Sequence, residues 1–141
     1  MFGRNNKLDV DWLSKHSFFD SFSAAQVEQI AELGHRVDAD PGAELTDQGR
    51  FGDVCYLIIE GTANVLMRGE YVATVGPGTM VGEMALLEHR PRNATVVAET
   101  DMVLVSFGTK EFRKILDDNP DLRERVHALL VARERDNSAR G

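Results

Sequence analysis

Residues 54–78 read VCYLIIEGTANVLMRGEYVATVGPG, three short apolar runs (Val54–Glu60, Ala63–Met67 and Tyr71–Val75) separated by glycine. Valine, isoleucine and aromatic residues favour a pleated, half-buried strand. Gly61, Gly69 and Gly76-Pro77-Gly78 supply the turn conformations that closely spaced strands require. The same texture extends outward from about His35 to Phe107. His35–Asp38 and Ala43–Thr46 read as strands before this stretch, and Thr95–Glu99 and Met102–Ser106 after it, with breaks at Pro41-Gly42, Gly49 and Gly52. No intervening helix is long enough for a parallel crossover. The pattern predicts a mainly β fold with flanking helices, closed in a jelly-roll-like barrel (a double-stranded β-helix).

Helical periodicity returns on either side. The first 35 residues read as helical: Val10, Trp12 and Leu13 share one side of a short helix, and Ser17–Phe22 forms an aromatic connector. Ser23 caps a second helix carrying Val27, Ile30, Ala31 and Leu33, which Gly34 stops. After Phe107, Thr109 is expected to cap a helix with Phe112, Ile115 and Leu116, ended by Asn119-Pro120. Asp121 opens another, with Val126, Leu129 and Leu130 on one side. The expected organisation is one domain: helical residues 1–34, a β-roll over 35–107, two helices over 108–135 and a polar tail over 136–141.

Composition narrows the function. A chain of 141 residues buries roughly two thirds of its unfolded surface as one domain. The net charge of −7 argues against direct nucleic-acid or anionic-membrane binding, which need a basic face. Cys55 is the only cysteine, so no internal disulfide forms, and its apolar setting marks it as a small core residue. No apolar run reaches the roughly 20 residues of a membrane span, and no signal-peptide core opens the chain. Cytoplasm is the expected location. His16, His35, His89 and His127 are scattered, which argues against a metal centre and a metal-dependent enzyme.

The chemistry concentrates at Val81-Gly82-Glu83-Met84-Ala85-Leu86-Leu87 and Pro91-Arg92-Asn93-Ala94-Thr95-Val96. Gly82 and Glu83 sit where a strand gives way to a helical turn, whose amides face an anion. Glu83 can accept hydrogen bonds from a hydroxyl pair. Arg92, followed at once by a β-type run, can point a two-pronged donor inward at phosphate oxygens. Taken singly, these features read more readily as structure: glycine before an acidic residue is common at strand ends, and Glu83 with Arg92 makes a structural ion pair.

Together these segments resemble the phosphate-binding cassette of the cyclic nucleotide-binding domain family, as in protein kinase A regulatory subunits and catabolite activator proteins. Its usual form is Phe-Gly-Glu-hydrophobic-Ala-Leu, a variable loop, then Pro-Arg-x-Ala-Thr/Ser-Val. Pro41-Gly42-Ala43-Glu44-Leu45, Gln48-Gly49, Gly52-Asp53, Tyr56-Leu57-Ile58 and Glu60-Gly61 are similar to that family's strands, so the resemblance covers roughly His35 to Leu130. It implies that residues 81–96 form the cassette. Glu83 would hold the ribose 2′-hydroxyl and Arg92 the cyclic phosphate, with backbone of Gly82, Met84, Ala85 and Ala94 completing the cradle and Val65 facing the ligand. Val81 replaces the usual aromatic. Asn93 stands where kinase-type cAMP binders carry alanine and cGMP-preferring members often carry threonine. The implied ligand is cAMP, with cGMP as the alternative, and no separate cofactor is implied.

The resemblance also implies a switch, with Thr109–Asp118 as hinge and Asp121–Arg133 as a lid that covers the base. Such a domain is a non-enzymatic regulatory module acting on an effector protein or domain that the sequence does not name. The alternative is a degenerate sensor barrel that binds no nucleotide and serves protein contacts.

Overall fold

The computed structural model describes residues 2–5, 8–49, 52–83, 92 and 94–124. The chain opens with strand β1 (Phe2–Asn5), then helix α1 (Val10–Ser14), a 3-10 turn (Ser17–Ser21) and helix α2 (Ala24–Leu33). Strands follow as β2 (His35–Ala39), β3 (Glu44–Thr46), β4 (Val54–Glu60), β5 (Ala63–Met67), β6 (Glu70–Val75), β7 (Met80–Val81), β8 (Thr95–Ala98) and β9 (Met102–Gly108). Helix α3 spans Thr109–Asp118, and residues 120–124 are helical again.

The strands form two antiparallel sheets, β1-β2-β9-β4-β7 and β3-β8-β5-β6. The jelly-roll-like arrangement is therefore present, but the sheets are not closed into the expected barrel. The chain changes sheet at corners that lock against each other and end the ladders. Gly61 turns from β4 to β5 at φ +91, and an added Cβ would strike the Asp101 carbonyl in the β8–β9 corner. Across these corners Glu99 N donates to Thr62 O at 2.9 Å, and Thr62 N donates to Thr100 Oγ1 at 3.0 Å.

Alternation along the central strands divides the core in two. Cys55, Leu57 and Ile59 of β4 and Val105 and Phe107 of β9 face the helices, packing with Leu13, Phe19, Val27, Ile30, Phe112 and Ile115. Ile58, Met102 and Leu104 face the other way, into a second cluster with Leu45, Val96 and Ala98 of the opposite sheet. The five-stranded sheet is thus covered on both faces, which explains why its central strands read as unbroken apolar runs.

The helices form as their caps require. Ser23 Oγ accepts from Gln26 N at 3.1 Å while the Gln26 side chain accepts from Ser23 N at 3.0 Å, a reciprocal capping box. Gly34 ends α2, and a Cβ there would overlap Val105. Two helix starts differ from expectation. Gly108, not Thr109, is the N-cap of α3, and the following helix begins at Pro120, with Leu122 N donating to Asn119 O at 3.0 Å. Proline suits a first helical position because no partner exists there for its missing N–H.

The expected all-helical start is also corrected. Residues 2–5 form β1, paired antiparallel with β2 from Phe2↔Ala39 to Asn5↔Arg36. Tertiary pairing with the free edge of β2, not local propensity, decides their state. Strand β7 is the strand end expected just before Gly82; at two residues it is too short for periodicity to give its bounds or its partner.

Candidate functional site

Strand β7 sets the geometry. Its antiparallel pairing with β4, Tyr56↔Val81 and Leu57↔Met80, carries the chain toward the Val54 end of β4, where Gly82 and Glu83 follow. Gly82 takes φ +85, open essentially to glycine alone, and turns the chain into Glu83, which is itself helical. Glu83 is 2% exposed.

Arg92 arrives from the opposite sheet. It lies three residues before β8, and β3 with the segment after it holds this stretch of backbone: Gly49 N donates to Arg92 O at 2.8 Å, and Thr46 Oγ1 donates to Ala94 O at 3.0 Å. Its guanidinium then crosses to the five-stranded sheet. Nη1 donates to Gly82 O at 2.8 Å and Nη2 to Val54 O at 2.7 Å. These two bonds go to backbone carbonyls, not to the Glu83 carboxylate of the ion-pair reading. Arg92 is 7% exposed, so the side chain is a buried tie between sheets.

Two glycines make the room. A Cβ on Gly82 would overlap Arg92 Nη1, and one on Gly52 would overlap Nη2, Cζ and Nε. Cys55 lies beside the same group and is fully buried. Burial pushes its thiol well above the ordinary range, the Glu83 carboxylate pushes it further, and Arg92 partly opposes them. Cys55 therefore stays a neutral thiol and is no nucleophile.

The arrangement suits an anion carrying neighbouring hydroxyls. A guanidinium has five N–H donors, of which the carbonyls take two, leaving three in a fixed plane for an oxyanion. A buried carboxylate accepts hydrogen bonds from hydroxyl groups at low reorganisation cost, because nothing must be ordered on binding.

Of the residues singled out in the sequence, Gly82, Glu83, Arg92 and Ala94 fall in this one region. Val65 is half-buried on β5 and packs on the inter-sheet cluster. Met84, Ala85 and Asn93 lie outside the described residues, as do residues 125–133 of the expected lid. Gly52 and the Val54 carbonyl were not singled out as site groups. The signal available was a glycine just before the strongest strand in the chain. Among the described residues no cluster of three or more histidine, cysteine or acidic side chains forms a metal site, and no helix is long and apolar enough to cross a membrane.

A two-sheet β-roll with a buried arginine and carboxylate at a glycine-lined strand end is the frame of a small-anion binding domain. The profile described as "Cyclic nucleotide-binding domain" matches residues 36–119, and the chain belongs to that family. Among solved structures, a cyclic nucleotide-binding domain from Methylobacillus flagellatus KT matches with TM-score 0.78 at 23% identity, over 99% of this chain and 86% of that one. The Thermus thermophilus catabolite activator protein matches with TM-score 0.74 at 25% identity, over 86% of this chain and 59% of that one. The regulatory domain of Toxoplasma gondii PKA, crystallised with cAMP, matches with TM-score 0.69 at 25% identity, over 84% of this chain and 48% of that one. The chain thus spans about half the length of these two regulatory relatives.

Proposed function

We propose that this domain is a cytoplasmic, non-catalytic sensor of cAMP that passes binding to its C-terminal helices and, through them, to an effector protein. One observation carries the reading. The Arg92 guanidinium is buried and fixed by Gly82 O and Val54 O, with three N–H donors left over beside a buried Glu83. That is the donor set a ring-closed phosphate needs, with an acceptor at hand for the ribose 2′-hydroxyl. The T. gondii relative bound to cAMP supports the choice of nucleotide. Backbone groups of Gly82, Met84, Ala85 and Ala94 complete the proposed cradle. Val65 and Asn93 adjust it, and Asn93 is where cGMP would be admitted or refused. The working units are residues 35–107 as receptor, with 81–96 as cassette, and 108–135 as responder.

Calorimetry with cAMP, cGMP and linear AMP tests this. The expected order is cAMP tightest and linear AMP weakest, since ring opening changes the charge and shape of the phosphate. Glu83→Ala is expected to bind cAMP and 2′-deoxy-cAMP equally, while the wild type prefers the intact ribose by about tenfold, the value of one hydrogen bond to a charged group. No heat with any cyclic nucleotide would leave the alternative, a barrel used only for protein contacts.

The responder is tied to the N-terminal helices by side chains. Gln26 Nε2 donates to both carboxylate oxygens of Asp121 at 3.0 Å, Gln29 Nε2 to Asp118 Oδ2 at 2.8 Å, and Asn119 Nδ2 to Gln29 Oε1 at 2.7 Å. A ligand moves this corner only by binding one of its positions more tightly. Saturating cAMP is expected to raise amide exchange protection across Leu122–Leu130, and unchanged exchange there would mean binding without a switch.

A further inference from the structure

We propose that Gly52 is a positioning residue for nucleotide binding, its missing side chain being the space in which the Arg92 guanidinium lies. This rests on the reading of Arg92 as the phosphate ligand. The three atoms closest to a Cβ built on Gly52 are Nη2, Cζ and Nε of Arg92, and all three would overlap it. Other glycines have other reasons. Gly42, Gly49 and Gly69 would place a Cβ in open space, and their positive φ accounts for them. Gly82 touches the guanidinium too, but its φ of +85 demands glycine in any case. Gly52 has no positive φ, so its backbone accepts an ordinary side chain. What excludes one there is the guanidinium.

The consequence follows from the fork geometry. A methyl group at position 52 displaces Nη2 from Val54 O, only 2.7 Å away, and swings Nη1 from Gly82 O. The three remaining N–H groups then lose their common aim. Gly52 touches no ligand in this scheme and acts wholly through Arg92.

A double-mutant cycle tests it, using wild type, Gly52→Ala, Arg92→Ala and the double variant. Two quantities are measured on each: cAMP affinity, and the thermal midpoint without nucleotide. Gly52→Ala is expected to weaken cAMP binding roughly tenfold in the wild-type background and less than about twofold once Arg92 is gone, as for groups in direct contact. The midpoint is expected to fall in the wild-type background. In the Arg92→Ala background it is expected to hold or rise, because replacing glycine at a permissive φ restricts the unfolded chain. Equal effects in both backgrounds, or wild-type affinity in Gly52→Ala, would overturn the proposal. If Gly52→Ala does not fold while the double variant does, the proposal stands; if neither folds, it fails. Absence of binding by all four proteins defeats the nucleotide reading and with it the role of Gly52 in binding, while the midpoints still decide whether Gly52 houses the guanidinium.

Discussion

Replacing Arg92 by alanine is expected to weaken cyclic nucleotide binding by about 2–4 kcal/mol, roughly thirty- to a thousandfold. The estimate takes two of the three N–H donors left after Gly82 O and Val54 O have taken theirs as the pair that meets the phosphate. Each charge-assisted bond is worth about 1.5–3 kcal/mol, and the two are not fully additive. The site lies between sheets and away from bulk water, which keeps the interaction strong. Arg92→Lys is expected to fall between wild type and alanine, because an ammonium restores charge but not the planar fork that fits carbonyls and phosphate together. Calorimetric titration of the three proteins with cAMP checks the series. Indistinguishable curves for wild type and Arg92→Ala would remove the arginine from the proposed role. Removal also strips partners from two carbonyls, so a modest loss of stability accompanies the loss of affinity.

Much of this architecture was legible because it is written locally. Ser23 declares the start of α2, Gly34 its end, and Asn119-Pro120 the end of α3. The runs at Val54–Glu60 and Met102–Ser106 declare central strands. Glu83 and Arg92 stood out because a carboxylate and a guanidinium flank apolar residues at a strand end. What stayed hidden depends on partners distant in sequence. The partner of β7 is one such case, since Met80 and Val81 pair with β4 more than twenty positions upstream. Strand β1 exists because β2 has a free edge. The seat of Arg92 combines both problems. It needs β7 in register with β4, the end of β3 beside β8, and a glycine at position 52, none of which shows as periodicity. The open sheets have the same origin, since the contact of Gly61 with the Asp101 carbonyl joins two corners 40 residues apart. Local pattern found the parts, and pairing arranged them.

Truncating Leu104 to alanine is expected to cost about 2–5 kcal/mol of stability, the range for a fully buried leucine whose cavity cannot collapse. Leu104 has no exposed surface, and it pairs in register with Val37 on β2 and Ile58 on β4. It sits mid-sheet, packed toward Val96 and Ala98 of the opposite sheet, so neighbours on two elements must shift before the void closes. Backbone pairing on both sides of β9 prevents that shift. Urea unfolding followed by fluorescence or circular dichroism checks the value. The expected result is a lower midpoint at unchanged slope, which signals lost stability rather than a changed unfolded state. A loss below about 1 kcal/mol would mean that the two sheets pack less tightly than their buried side chains indicate. The same variant separates stability from recognition, because Leu104 belongs to the inter-sheet cluster and not to the groups that hold Arg92. Its nucleotide affinity is expected to match wild type while folded. Nucleotide at one hundred times its dissociation constant should then return about 2.7 kcal/mol to the folded state by mass action. Rescue of Leu104→Ala by cAMP, and no rescue of a Leu104→Ala/Arg92→Ala double variant at the same concentration, would tie the stability gain to the guanidinium and not to general compaction of the β-roll.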